Sequence, residues 1–202
     1  FAILFFKAKH MEYLALIGTV TVIHLLAVIS PGPDFIMACR NSLTYSRKTG
    51  IWTAVGFGFG IAVHVFYSLA GLALIISKSI LLFNAIKFLG AGYLIYIGLK
   101  SVFSKSSKIE LGEQQKKEDI TRFAAIRIGF LTNVLNPKAT LFFLSLFTLV
   151  ISPETPMPIM GIMSAIMIIN TMLWFSLVAV FLAQKRIRSI FERFQGVFNK
   201  TL

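Results

Sequence analysis

Charged residues are scarce in this sequence. Asp, Glu, Lys and Arg make up 14% of its 202 residues, whereas soluble domains carry roughly 25%. Hydrophobic residues account for 56% of the chain, and the mean hydropathy is +0.80. The shortage of charge excludes an ordinary soluble domain and indicates a protein that lies in a membrane.

Cysteine and the common catalytic motifs are also lacking. Cys39 is the single cysteine, so an intramolecular disulfide is excluded, and we interpret Cys39 as a small packed residue. The sequence has no HExxH motif, no Cys/His cluster and no serine nucleophile elbow, which leaves metal or hydrolytic catalysis without support. We therefore expect neither an enzyme nor a bound cofactor or metal.

Long apolar runs dominate the chain instead. Five of them lie at 14–37, 50–76, 79–100, 123–152 and 158–183, and a helix needs about 20 such residues to cross a bilayer. We predict an all-α, polytopic helical membrane protein. Residues 1–10 are interpreted as an upstream extension before Met11. Residues 11–202 then form a single membrane domain that is expected to be truncated before a sixth span.

Basic residues predict the orientation of these spans. The net charge is +12, but thirteen basic residues fall in the segments 40–48, 100–122 and 185–193, against Lys7, Lys9 and Lys78 on the other side. Cytoplasmic loops are enriched in Lys and Arg. We therefore expect the N-terminus outside and residues 101–122 in a mobile cytoplasmic loop, and we expect no nucleic-acid partner.

Two interrupted spans suggest an internal repeat. Ser30-Pro31-Gly32-Pro33 interrupts the first span, and Asn136-Pro137-Lys138 interrupts the fourth. The half-repeats would be about 11–100 and 123–202, and an odd number of crossings would invert the second. Proline- or glycine-interrupted segments at corresponding positions of two halves indicate a transporter binding site. We predict two inverted three-helix repeats with broken first and fourth helices.

The breaks bring polar groups into the membrane. Proline has no N–H and clashes with the carbonyl four residues earlier, so Pro31 and Pro33 should open the helix around Gly32. Opened backbone is tolerated at membrane depth only inside protein or beside a wet cavity. It offers carbonyl acceptors and a helix N-terminus that attracts anions, which suits an amino acid; the alternative is a plain proline kink.

Asp34 is the only carboxylate within any predicted span, and such a group costs a few kcal/mol at mid-membrane on insertion scales. It could couple transport to protons or bind a substrate ammonium. Alternatively, it caps the helix that resumes after Pro33, or pairs with Arg40.

Lys138 is the matching cation of the fourth span. It could bind a substrate carboxylate, form a switchable pair with Asp34, or extend to the membrane surface. Asn133 and Asn136 share one helical face and could cap the broken helix or contact substrate; capping is favoured.

Two histidines and a glycine motif lie within the spans. His24 and His64 could relay protons, but hydrogen-bonded packing is the favoured interpretation. Gly56 and Gly60 form a GxxxG spacing. This spacing is compatible with a homodimer, although close packing of helices within one chain is commoner.

Three segments resemble the LysE/RhtB amino-acid exporter family. They are SPGPDFIMACRNSLTYSRKTGIWTAVGFGFG, GAGYLIYIGLKSV and GFLTNVLNPKATLFFLSLF, in the family's order. The resemblance implies a bacterial inner-membrane exporter of amino acids or their derivatives, driven by protons, with a sixth hydrophobic segment after the RFQG stretch. Its functional positions would be Pro31, Gly32, Pro33, Asp34, Asn136, Pro137 and Lys138, with Arg40 and Asn41 at the cytoplasmic end.

The expected partners are a small amino-acid substrate, protons and the lipid bilayer. We predict export by alternating access. A binding or regulatory membrane protein without transport, or a small-solute channel, remains the alternative.

Overall fold

A computed structural model describes residues 2–78, 80–103, 117–150 and 155–182. These residues contain seven helices and no strand. The helices are α1 (Ala2–Ile29), α2 (Pro33–Thr44), α3 (Arg47–Lys78), α4 (Ile80–Phe103), α5 (Arg122–Val134), α6 (Pro137–Val150) and α7 (Met157–Leu182). The prediction of an all-α protein is confirmed.

Several of these helices can cross a membrane. Lys9–Ile29, Arg47–Gly71 and Met157–Leu182 are long and apolar enough, and the bent pair α5–α6 is a fourth candidate when its two helices are taken as one span. All four coincide with predicted runs, and the fifth run, 79–100, is occupied by the 24 residues of α4. Residues 2–10, interpreted as an upstream extension, lie in α1. The proposed sixth segment falls outside the described residues.

The outer surface is apolar, as a lipid-facing surface must be. Four large apolar residues are each at least 75% exposed: Phe66, Leu81, Phe88 and Phe123. Scattered exposure of single apolar residues is normal in soluble proteins. Large side chains exposed along several long apolar helices instead fit contact with acyl chains.

The interior has two apolar cores. The first joins α1, α3, α6 and α7 and contains Val20, Ile61, Val65, Phe142, Phe143, Leu146, Phe147, Met163 and Met167. The second joins α2, α3 and α7 and contains Ala38, Cys39, Ala54, Phe57, Phe175, Val178 and Leu182. The long helices α3 and α7 run through both cores. Cys39 is a buried member of the second, as predicted.

Glycines allow α3 and α5 to cross closely. A Cβ on Gly56 would meet the carbonyl of Ile126 and lie 2.8 Å from the amide nitrogen of Phe130, and a Cβ on Gly129 would meet the carbonyl of Thr53. Both glycines therefore permit backbone contact between the helices. The GxxxG spacing packs helices within one chain, as favoured above, and these glycine faces leave no room for a partner subunit.

The end of the polar linker is attached to the turn between α2 and α3. Asp119 accepts hydrogen bonds from Ser46 Oγ (2.8 Å) and Thr49 Oγ1 (3.2 Å), and the Lys117 amide donates to the Thr44 carbonyl (2.8 Å). Thr121 Oγ1 then caps α5 by accepting from the Ala124 amide at 3.2 Å. These bonds attach residues 117–121 to the turn between α2 and α3; residues 104–116 lie outside the described parts, and the mobility of the linker stays a prediction.

The two breaks lie at similar distances from the contact between Ser46 and Asp119. Two short helices of similar length, α2 and α5, lead from this contact to the breaks. The bond between Ser46 and Asp119 places the end of α2 beside the start of α5. From there α2 has 12 residues and α5 has 13 before the breaks are reached. At 1.5 Å per residue these helices are about 18 and 20 Å long, so both breaks lie at similar distances from the contact between Ser46 and Asp119.

Candidate functional site

The first break separates α1 from α2. The Ser30 amide still donates to the Leu26 carbonyl at 3.1 Å, but Pro31 and Pro33 have no N–H to continue the helix. Gly32 is the N-cap of α2 with extended backbone (φ −171°, ψ −173°). Pro33 is the first residue of the new helix, a position at which proline is well tolerated.

A side chain from the other break supplies the missing donor. Lys138 Nζ donates to the Ala27 carbonyl at 3.0 Å and to the Ser30 carbonyl at 2.7 Å. Ala27 lies four residues before Pro31, so its carbonyl is the acceptor that the Pro31 nitrogen cannot serve. Lys138 also packs against Gly32, on which a Cβ would lie 3.2 Å from Lys138 Cδ. The ammonium of Lys138 thus stabilises the open end of α1.

The second break bends the fourth span by 59° between α5 and α6. Asn136 Oδ1 accepts from the Lys138 amide at 3.0 Å, which satisfies one of the free N–H groups at the start of α6. The capping role favoured for Asn136 is confirmed. Pro137 is the first residue of α6 and matches Pro33 of α2.

His64 supports the carbonyl that Pro137 leaves without its helical donor. Its Nε2 lies 2.9 Å from the Asn133 carbonyl oxygen, four residues before Pro137. Because a carbonyl oxygen only accepts, Nε2 carries the hydrogen. His64 Nδ1 bonds the Tyr67 hydroxyl at 2.6 Å, and the imidazole stacks on Phe143 at 5.6 Å. Hydrogen-bonded packing, the interpretation favoured for His64, is confirmed.

Asp34 joins the two breaks from the other direction. Asp34 Oδ2 accepts from Asn133 Nδ2 at 2.8 Å, and Asn133 is fully buried. A Cβ on Gly60 would lie 2.7 Å from Asn133 Cβ, so the glycine makes room for this amide. Asp34 Oδ1 and Asn133 Oδ1 are buried and have no hydrogen-bond partner among the described residues. Two acceptors are therefore left over at the junction.

The breaks border a cavity between the helices. Its polar lining consists of His24, Ser30, Asp34, Asn133, Asn136, Lys138 and Thr171, with Gly32 at the first break. Its apolar wall consists of Ala27, Val28, Phe35, Ile61, Ala139, Phe142, Phe143 and Phe175. The wall takes residues from both apolar cores, so the cavity lies between them.

His24 differs from His64 in its surroundings. Only 1% of His24 is exposed, and its ring packs against both Phe142 and Phe143, with ring centroids 5.9 and 5.8 Å away. Neither ring nitrogen has a hydrogen-bond partner among the described residues. The expectation of hydrogen-bonded packing is therefore wrong for this residue, because the phenyl rings beside it carry no acceptor or donor of the required kind.

The predicted site residues divide into three groups. Gly32, Asp34, Asn136 and Lys138 line the cavity. The prolines shape the breaks but are themselves exposed at the surface: Pro31, Pro33 and Pro137. The remaining two predicted residues, Arg40 and Asn41, lie on α2 beyond the cavity lining.

Arg40 and Asn41 have separate surroundings. Arg40 is exposed, whereas buried Asn41 donates to Thr53 Oγ1 at 2.9 Å and joins α2 to α3. Their role at the cytoplasmic end stays a prediction.

The structure also changes the interpretation of the two charges. Lys138 bonds two backbone carbonyls and is half-buried, so extension to the membrane surface is wrong. The N-cap of α2 is Gly32, with no side-chain hydrogen bond to the cap, so Asp34 does not cap this helix.

Several lining residues had no signal in the sequence. Phe142, Phe143 and Thr171 lie in ordinary apolar runs, and nothing in their local pattern marks them as cavity residues. Only the position of Phe142 and Phe143 in the sequence points to the cavity, because both lie within two helical turns after the break at Pro137. No group of three His, Cys, Asp or Glu side chains suited to a metal occurs among the described residues.

Comparison with known proteins gives the family of the chain and several named relatives. The model of the family described as "LysE type translocator" matches residues 25–199. The chain is 31% identical over 185 residues to the uncharacterized membrane protein YrhP of Bacillus subtilis, with 87% of each chain covered. It is 30% identical over 181 residues to the threonine efflux protein of Escherichia coli K12, covering 89% of this chain and 88% of the other.

A leucine efflux protein of Salmonella choleraesuis is 33% identical over 134 residues, with 65% of this chain and 61% of the other covered. No solved structure matches the chain.

Proposed function

Because the chain belongs to the LysE type translocator family, we propose that it exports amino acids or amino-acid derivatives across a bacterial inner membrane and is driven by the proton gradient. Relatives named threonine and leucine efflux proteins support the amino-acid cargo. The same names favour a transporter over an enzyme.

One observation carries this proposal: the two broken helices hold each other across a polar cavity. Lys138 after the second break bonds the end of α1, and Asp34 after the first break bonds Asn133 at the end of α5. Opened backbone at membrane depth is stable only when its polar groups find partners. A cavity bordered by two such breaks is the arrangement in which transporters bind cargo.

The polar groups of the cavity suit a zwitterion. The unsatisfied oxygens Asp34 Oδ1 and Asn133 Oδ1 are acceptors for an α-ammonium, which has three N–H donors. The start of α2 and the Lys138 ammonium attract an α-carboxylate. Asp34 is the carboxylate of the cavity and can change its charge by taking up a proton, so it is our candidate for proton coupling.

Alternating access requires two halves that move against each other, and three pairs of helix contacts support an internal repeat. In the two half-repeats, α1 corresponds to α5, α2 to α6 and α3 to α7. A contact between two helices should then have a counterpart between the two corresponding helices. The contact of α3 with α5 becomes that of α7 with α1, α2 with α5 becomes α6 with α1, and α2 with α7 becomes α6 with α3; all six contacts are present.

The proposed topology follows the basic residues. The turn between α2 and α3 and residues 117–121 are bonded to each other, which supports their location on one side, the cytoplasm. The N-terminus then lies outside. A homodimer remains compatible with this arrangement, but its contact must use a surface other than the GxxxG face of α3.

Transport by purified protein in lipid vesicles tests the proposal. The vesicles are loaded with a panel of labelled amino acids and assayed with and without an imposed pH gradient. We expect saturable movement of at least one amino acid, and accumulation against its concentration gradient only when protons flow the other way. Vesicles without the protein, loaded with the same amino acids, provide the control.

Other outcomes separate the alternatives. Saturable binding without movement would favour a binding protein and contradict transport. Rapid downhill flux that does not saturate and cannot accumulate cargo would favour a channel and contradict alternating access.

A further inference from the structure

His24 is a buried polar side chain whose hydrogen-bonding capacity is unused. It is 1% exposed, it lines the cavity, and neither nitrogen has a partner among the described residues. Buried polar atoms are almost always hydrogen-bonded, and an unsatisfied one costs about 1–3 kcal/mol. A group left in this state on a cavity wall is one that a bound molecule can satisfy.

The position of His24 separates it from the breaks. It lies one helical turn before Ala27 and Val28, which line the same cavity, and its ring packs against the side chains of Phe142 and Phe143. The other unsatisfied lining atoms, Asp34 Oδ1 and Asn133 Oδ1, belong to the junction of the breaks. The cavity thus has an acceptor group at the junction and one amphoteric group within an apolar wall.

We propose that His24 selects the side chain of the cargo by hydrogen-bonding a hydroxyl group. This inference rests on the proposed export of amino acids. The α-ammonium binds the acceptors of Asp34 and Asn133, and the short cargo side chain then extends along the aromatic wall to His24.

The chemistry of neutral imidazole decides the ligand class. It has one N–H donor and one acceptor nitrogen, and a hydroxyl can serve either of them. A methyl group serves neither and leaves the ring unsatisfied. A carboxylate would bring a second negative charge close to Asp34, and a cationic side chain would have to lose its hydration against Phe142 and Phe143. A short hydroxyl-bearing amino acid fits best.

Threonine and valine form a matched pair for this test because they differ by a hydroxyl in place of a methyl. Lipid vesicles that contain the protein are loaded with labelled threonine. The release of label in exchange for external threonine or external valine is then measured. One hydrogen bond of ordinary strength corresponds to about a tenfold difference in affinity. We expect the half-saturating concentration of threonine to be about tenfold below that of valine.

Variants at His24 assign the preference to this side chain. His24→Leu should lose the preference by raising the half-saturating concentration of threonine while valine exchange persists. His24→Gln keeps a donor and an acceptor and should retain most of the preference. Ser68→Ala is the control, because Ser68 Oγ is also buried without a partner among the described residues but does not line the cavity. It should leave the ratio unchanged.

The outcomes are distinct. Equal exchange of threonine and valine by the parent protein would overturn the role of His24 and leave amino-acid export intact. A preference that survives in His24→Leu would overturn it as well. If the parent exchanges no amino acid at all, the proposed function fails first and this inference with it. The ratio of the half-saturating concentrations of threonine and valine is measured on the parent protein itself. The proposal can therefore be contradicted even if a His24 variant does not fold.

Discussion

Asp34 and Lys138 occupy equivalent positions and make reciprocal contacts. Asp34 is the second residue of α2 and Lys138 the second residue of α6, each after an initial proline. Asp34 accepts from Asn133 at the end of α5, while Lys138 donates to Ala27 and Ser30 at the end of α1. The charged residue after each break therefore bonds the end of the helix that leads to the other break.

Substitution of Asp34 tests proton coupling. Asp34→Asn keeps the size and an acceptor for Asn133 but cannot take up a proton. We expect the variant to insert normally and to lose gradient-driven accumulation, by at least tenfold, while exchange of cargo across the membrane survives. The measurement is accumulation and exchange in the same vesicles.

A control and a second outcome define the role of Asp34 further. Glu12→Gln removes an exposed carboxylate of α1 and should change neither quantity. If exchange falls together with accumulation, Asp34 binds the cargo ammonium directly. Accumulation with the parent's pH dependence would show that Asp34 has only a structural role.

The bonds from Lys138 to the end of α1 should contribute to stability. A hydrogen bond from a charged group contributes about 1.5–3 kcal/mol to the free energy of unfolding. Lys138→Met should therefore lower the melting temperature of the protein in detergent. Lys48→Met removes an exposed lysine of α3 and should have almost no effect. Equal melting temperatures for the two variants would contradict the role assigned to Lys138.

The close crossing of α3 and α5 predicts a contrast between two glycines. Gly56→Ala would place a methyl group against the backbone of α5 and should destabilise the protein by about 1–3 kcal/mol. Nothing lies within 4 Å of a Cβ on Gly18, and alanine is the better helix former, so Gly18→Ala should be neutral or stabilising. Thermal unfolding of both variants provides the comparison; a Gly56→Ala protein as stable as the parent would show that the helices can separate freely.

Single cysteines test the orientation in the membrane. Cys39 is first replaced by alanine, and a cysteine is introduced at Glu118 or Met157, both of which are exposed. We expect a membrane-impermeant thiol reagent to label intact cells at position 157 and to label position 118 only after the membrane is opened. The reverse pattern would contradict the assignment based on basic residues.

The sequence was sufficient for features that depend on local composition. Apolar runs marked the helices, and Pro31, Pro33 and Pro137 marked both breaks because the loss of an N–H is a property of the residue itself. Asp34 was recognised because a carboxylate in an apolar run is costly wherever it lies.

Features that depend on distant partners were not predictable in the same way. Lys138 bonds carbonyls rather than extending to the surface, and this depends on the packing of α6 beside α1. His24 and His64 have similar apolar neighbours along the chain but opposite hydrogen-bonding states, because His64 faces Asn133 and His24 faces two phenylalanines. Asp119 bonds Ser46 and Thr49, and the composition of the linker does not indicate these contacts.

The bonds between Lys138 and the end of α1 also have a consequence for how the protein is made. The donor follows the acceptors Ala27 and Ser30 by 111 and 108 positions along the chain. A ribosome therefore delivers the first break to the membrane well before the residue that completes it exists. Until the fourth span arrives, those carbonyls must keep contact with water or with the insertion machinery, since acyl chains offer no donor. The first span reaches its final form late in biogenesis, and the N-terminal half expressed by itself should be a poor substrate for stable insertion.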